Sequence, residues 1–112
     1  MRNKYGNIKI TIDGIRFDSK AEGRRYCELK ILLKADHISN LVLQPRFLLQ
    51  ESYKKNGKAI RKIEYVADFM YINDLGFRVV EDVKGMKNQI YLLKKKLFEY
   101  KYSELEIAEI RY

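Results

Sequence analysis

The chain has 112 residues, which sets an expectation of one domain, residues 1–112, with a core of its own. Its 46% hydrophobic and 34% charged residues exclude a disordered or fibrous chain, and no apolar run approaches the ~18 residues that read as a membrane span. The formal charge of +8 favours a polyanionic partner, because lysines and arginines that neutralise phosphates gain affinity by releasing counterions.

The opening MRNKYGNIKI lacks the apolar centre of a signal peptide, and a cytoplasmic location without membrane attachment is expected. IKITIDGIRF reads as a hairpin, with Asp13-Gly14 as a two-residue turn between alternating segments. Ser19 then opens a helix. Glu22, Tyr26, Leu29 and Leu33 follow on one face, and the pattern ends near Asp36. Cys27, the only cysteine, excludes an internal disulfide and, with the single His37, a zinc-type cluster; it is expected to be buried as a small apolar residue.

Leu41 to Gln44 is a short strand stopped by Pro45. Phe47 to Tyr53 and Ile60 to Ile72 are strand-like arms around a lysine-rich tip, paired through a type I′ turn at Asn56-Gly57. A further strand runs from Phe77 to Lys84, and a helix from Asn88 to Lys101 with Ile90, Leu93 and Leu97 on its apolar side. LEIAEIRY closes the chain as a strand. The order of hairpin, helix, three strands, helix and strand predicts an α+β (α/β mixed sheet) fold.

Charge enters the strand RVVEDVKG. Alternation puts Val80, Asp82 and Lys84 on one face and Val79, Glu81 and Val83 on the other, so the acid that can cooperate with Lys84, roughly 7 Å away by strand rise, is Asp82. The preceding arm carries Asp68. A three-residue loop, Asp74-Leu75-Gly76, pairs Asn73 with Phe77 and brings Asp68 opposite Asp82, with Cβ atoms about 5 Å apart; a loop of two or four residues would select Glu81 instead.

Two carboxylates about 4 Å apart repel by about 4 kcal/mol at an effective dielectric near 20. Lys84 supplies one positive charge and leaves the pair one short, which points to a hard divalent cation in a shared cavity. Glu22 is the third acid, on the core-facing stripe of the first helix. Ser19-x-x-Glu22 is also a capping box, in which the carboxylate reaches back to the Ser19 amide, and the two roles are compatible.

Asp68, then Asp82-Val83-Lys84 closing a hairpin, with an acid on the preceding helix, resembles the PD-(D/E)xK nuclease superfamily. FDSKAEGRRYCEL, YVADFMY and VVEDVKG together resemble its small phage-encoded, Holliday-junction-resolvase-like endonucleases, over Phe17 to about Phe98. Ala67 stands where the motif has proline. The resemblance implies a restriction-endonuclease-like core and hydrolysis of DNA phosphodiesters, extending to branched DNA, by a phage-encoded enzyme in a bacterial host cell that could act as a homodimer. It also implies that Asp68, Asp82, the Val83 carbonyl and Glu22 hold Mg²⁺ or Mn²⁺, and that Lys84 orients the attacking water and stabilises charge on the phosphate.

Arg25, Lys87, Lys94, Lys95 and Lys101 are the candidate DNA contacts, with Arg24, Gln89 and Tyr91 nearby. A DNA-binding module without catalysis and an RNase are the alternatives.

Overall fold

The computed structural model describes residues 8–112; the part of the leader reading that rests on residues 1–7 lies outside them. Local turn chemistry sets the first hairpin. β1 (Ile10–Ile12) and β2 (Ile15–Phe17) pair antiparallel with Ile12 opposite Ile15, and Asp13 and Gly14 take φ of 54° and 75°. That is the left-handed pair which a type I′ turn requires.

α1 (Lys20–Lys34) starts at Ser19, whose Oγ accepts from the Glu22 amide at 3.1 Å. The Ser19 hydroxyl also meets Glu22 Oε2 at 3.2 Å, so the carboxylate engages the cap through that hydroxyl, where the capping box predicted the Ser19 amide. Tyr26 and Leu29 are buried against Phe17, Phe69 and Tyr71. Gly23 lets the hairpin lie on the helix: a Cβ there would sit 2.9 Å from a methyl of Ile10 and 3.0 Å from one of Ile12. Cys27, expected inside, is exposed, because it falls on the face opposite to Leu29 and Tyr26.

The chain breaks at Pro45 as expected, but the arm expected to run from Ile60 to Ile72 is also broken, which the sequence pattern did not predict. β3 (Ser39–Leu43) and β4 (Arg46–Gln50) are separated at Gln44-Pro45, and β7 (Ile63–Val66) and β8 (Phe69–Ile72) at Ala67-Asp68. β4 pairs with β7 and β3 with β8. Two bonds carry the ladder round the corner, from Gln44 N to Asp68 O at 2.9 Å and from Ala67 N to Pro45 O at 3.1 Å. Gln44 takes φ of 51° and Pro45 has no N–H to offer, so both strands bend at the same level. β5 (Tyr53–Lys55) and β6 (Lys58–Ile60) close the exposed tip, with Asn56 and Gly57 at φ of 50° and 77° as the type I′ turn demands.

β9 (Arg78–Val83) pairs antiparallel with β8 and parallel with β10 (Ile107–Ile110), giving a four-stranded sheet in the order β10-β9-β8-β3. Alternation along β9 serves two cores. Val79 and Val83 pack with Phe69 and Tyr71 beneath α1, while Val80 packs with Ile107 and with the aromatic cluster of α2 (Gln89–Lys101).

α2 begins as expected, with Asn88 Oδ1 accepting from the Tyr91 amide at 2.7 Å, but presents a different face. Ile90, Leu93 and Leu97 are 68%, 58% and 42% exposed, whereas Tyr91 and Phe98 are buried. Phe98 meets Phe47, Tyr65 and Tyr102 with ring centroids 4.8–5.2 Å apart. Aromatic rings bury more area than the aliphatic stripe and gain edge-to-face contacts, and this decides the helix rotation. The result is a mixed α+β fold of two helices and several sheets.

Candidate active site

The turn between β8 and β9 fixes the register. Gly76 takes φ of 83°, its amide donates to Asn73 O at 2.9 Å, and the Asn73 amide donates to Phe77 O at 2.9 Å. Asn73 Oδ1 accepts from Leu75 and Phe77. This is the three-residue loop with a glycine bulge that the sequence predicts. It sets Ile72 opposite Arg78 and Phe69 opposite Glu81, where the paired ladder ends; Asp68, one residue beyond, donates its amide to Glu81 O at 3.1 Å.

Asp82 is 4% exposed on the α2 face of the sheet. Lys84 Nζ lies 3.2 Å from Asp82 Oδ1 and 3.9 Å from the centroid of the Tyr91 ring, so the ammonium is held between a carboxylate and an aromatic face. The Tyr65 hydroxyl donates to Asp82 Oδ2. Burial, then Asp82, raises the pKa of that phenol, which stays a donor.

Asp68 sits in the corner between β7 and β8. Its Oδ2 accepts from the Val83 amide at 2.7 Å. A strand residue's N–H and C=O point to the same side, so the Val83 carbonyl is directed toward Asp68 as well. Glu22, in the first turn of α1, approaches Asp68 from the other face. Burial, the Asp82 charge and the Glu22 charge push the Asp68 carboxyl up to about 8, and burial raises Glu22 too.

The acids open to solvent through two clefts rather than one. Glu22 and Asp68 line a cleft of about 110 Å³ beside Phe17 and Gln44, whereas Asp82 and Lys84 line one of about 230 Å³ beside Tyr65, Asn88 and Lys94. Asp68 stands at the strand corner between the two clefts, where it feels the charge of both Asp82 and Glu22. Among the described residues no three acid, histidine or cysteine side chains are drawn together into a metal cage.

The candidate DNA contacts also divide. Arg25 points inward, where Nε and Nη2 grip Glu81 at 2.8 and 2.7 Å and Nη1 reaches Glu28 at 3.1 Å; a buried carboxylate holds the guanidinium that was expected to meet a phosphate. Lys87 and Lys95 lie 2.8 and 3.5 Å from Glu109, with Arg111 at 3.9 Å. Lys87 and the Tyr91 hydroxyl hold the Glu109 carboxyl down at about 2. Lys94 borders the Asp82 cleft and Lys101 is exposed beside the Tyr102 ring. Arg24 lies over the Tyr112 ring at 4.2 Å, and Gln89 opens α2 at an exposed position.

The sequence reading missed Tyr65, Glu109 and the partners of Glu81. Glu109 had a signal in principle: in the final strand, paired parallel to β9, it is the Cα partner of Asp82.

Together these features define a mixed α+β protein whose chemistry-bearing side chains gather where β8 and β9 meet the first turn of α1. The chain belongs to the family described as protein of unknown function (DUF1064), whose model matches residues 2–111. No curated protein and no solved structure matches it. No described helix is long and apolar enough to cross a membrane.

Proposed function

We propose that this protein is a metal-dependent endodeoxyribonuclease of the PD-(D/E)xK type on a restriction-endonuclease-like core, phage-encoded and acting in a bacterial cytoplasm on DNA, branched DNA included. The observation that carries the reading is that the Asp68 carboxyl, at the end of the β8–β9 ladder, feels the Asp82 charge while Lys84 lies 3.2 Å from Asp82 Oδ1.

The donor set fits Mg²⁺ or Mn²⁺. A carboxyl raised to about 8 by burial and two neighbouring acids is a site short of positive charge, and hard oxygen donors suit these cations. Asp68, Asp82 and the Val83 carbonyl would hold the ion, with open positions left to water, and Glu22 would add its charge from the α1 side. A cation bound there would lower the pKa of bound water and polarise the phosphoryl oxygen.

The protein's own groups do the rest. The Val83 amide orients Asp68, and Tyr65 and Lys84 orient Asp82. Lys84, steadied by the Tyr91 ring, stabilises negative charge gathering on the phosphate. Lys94 and Lys101 meet the DNA backbone, joined by Lys87 and Lys95 when phosphates compete with Glu109. Charge of +8 supports this partner.

The test is cleavage of supercoiled, linear, flapped and four-way-junction DNA with Mg²⁺, Mn²⁺ or chelator, with an RNA duplex alongside. Metal-dependent DNA cleavage that Asp82→Asn abolishes is expected. Binding without cleavage would favour a DNA-binding module, and cleavage of RNA alone an RNase.

A further inference from the structure

Glu81 and Asp82 are adjacent acids on opposite faces of β9, and the first is the more buried, at 1% exposure. A carboxylate so deep in a sheet requires partners, and it has three bonds. Arg25 Nε and Nη2 meet its two oxygens at 2.8 and 2.7 Å, and the Tyr71 hydroxyl donates to Oε2. Arg25 is fixed in turn by Glu28, which accepts from Arg25 Nη1 at 3.1 Å and from the Tyr112 hydroxyl at 2.6 Å.

The position of this network in the chain gives it its consequence. Arg25 lies three residues, just under one turn, beyond Glu22 on α1, so the two share a helix face. Glu81 directly precedes Asp82. Tyr26 and Leu29 of α1 add apolar contacts against Phe69 and Tyr71. Such contacts are non-directional and tolerate axial sliding, and sliding by one residue moves a helix about 1.5 Å. A planar guanidinium gripping a carboxylate through two parallel bonds permits neither sliding nor rotation.

We propose that Arg25 and Glu81 are a positioning pair that holds α1 in the register at which Glu22 stands against Asp68 and Asp82. This rests on the nuclease reading of the acid site. Neither residue touches the reacting atoms; both act through Glu22.

Stability and positioning separate experimentally. Removing one partner strands a buried charge and destabilises the fold, whereas replacing both by apolar side chains of similar volume is often neutral or stabilising. The variants are therefore Arg25→Lys, the double variant Arg25→Met/Glu81→Leu, Glu22→Gln, and Glu22→Gln combined with Arg25→Lys. Exposed Ile31→Ala is the control.

The readouts are thermal unfolding, Mn²⁺ affinity by calorimetry, and single-turnover cleavage at saturating Mn²⁺. The double variant should melt within a few degrees of wild type, yet bind Mn²⁺ and cleave at least about tenfold more weakly, the usual scale for supports of a metal site. Arg25→Lys, which keeps the charge and loses the fork, should show the same loss. In the Glu22→Gln background it should add almost nothing, because positioning works through that residue.

A folded double variant, or a folded Arg25→Lys, with wild-type affinity and rate overturns the proposal. So does full additivity of Arg25→Lys with Glu22→Gln. If wild type itself binds no Mn²⁺ in an Asp68-dependent way, the nuclease reading falls and this inference falls with it.

Discussion

The Lys84 ammonium lies 3.2 Å from Asp82 Oδ1 and packs on the Tyr91 ring, so one strand repeat joins a buried acid to a half-buried cation on the face that α2 covers. A lysine used only to neutralise Asp82 could be replaced by another cation of similar reach. A lysine aimed at a reacting phosphate could not. Lys84→Ala is expected to reduce cleavage by about 10²–10³-fold, the scale for losing one charge-stabilising donor, with the metal-dependent rate of plasmid nicking as the measurement. Lys84→Arg should recover folding and DNA affinity but little of the rate, because a guanidinium is bulkier and flat.

Asp68 makes the metal-free protein sensitive to alkali. Burial and then the Asp82 and Glu22 charges raise its carboxyl to about 8, against 3.8 for an ordinary aspartate. Between those values the folded chain keeps a proton that the unfolded chain has lost, so stability falls as pH rises through the window and levels off above about 8. Asp68→Asn should flatten this dependence and raise the melting temperature at pH near 8, with melting curves across pH as the check. Mn²⁺ should restore wild-type stability at the alkaline end and release a proton on binding near neutral pH, so its affinity rises with pH.

Tyr65 is the donor that steadies the other oxygen of Asp82. Tyr65→Phe keeps the ring within its cluster with Phe47 and Phe98 and removes only the hydroxyl. Leaving a buried carboxylate one donor short costs about 1–3 kcal/mol. Chemical denaturation should show that loss, and Mn²⁺ affinity should weaken about tenfold as Asp82 loses its fixed orientation.

On the nuclease reading proposed above, Glu109 occupies cations that DNA would otherwise meet. Lys87 and Lys95 both lie within 3.5 Å of it. Glu109→Gln removes one negative charge and releases both lysines, so affinity for duplex DNA should rise several-fold. The log–log slope of affinity against salt should steepen by about one unit for each phosphate gained. Titrations at several salt concentrations measure both.

What could be read from the sequence was local. Asp74-Leu75-Gly76 set the β8–β9 register because a glycine bulge has one parity, and the Asn56-Gly57 and Asp13-Gly14 turns formed for the same kind of reason. Ser19 capped α1 as its side chain required. Long-range competition was hidden. Arg25 has Glu81 as its partner 56 positions away, and nothing near either residue announces the other. The corner at Gln44-Pro45 and Ala67-Asp68 needs two distant segments to bend together, so Asp68 could be given a partner in the adjacent strand but not the cleft it opens into.

The rotation of α2 was ambiguous in principle and has its own test. Ile90, Leu93 and Leu97 recur at helical spacing, but so do Tyr91 and Phe98, and periodicity cannot rank two stripes on one helix. The ring cluster of Phe47, Tyr65 and Tyr102 ranks them, together with Glu109, which accepts from the Tyr91 hydroxyl at 2.6 Å. With Leu93 58% exposed and Phe98 at 0%, the two substitutions to alanine should differ sharply. Leu93→Ala is expected to change stability by no more than about 0.5 kcal/mol. Phe98→Ala should cost about 3–5 kcal/mol through the cavity it leaves. Comparable losses in urea denaturation would mean that α2 turns its aliphatic stripe inward, which would also carry Tyr91 away from Lys84.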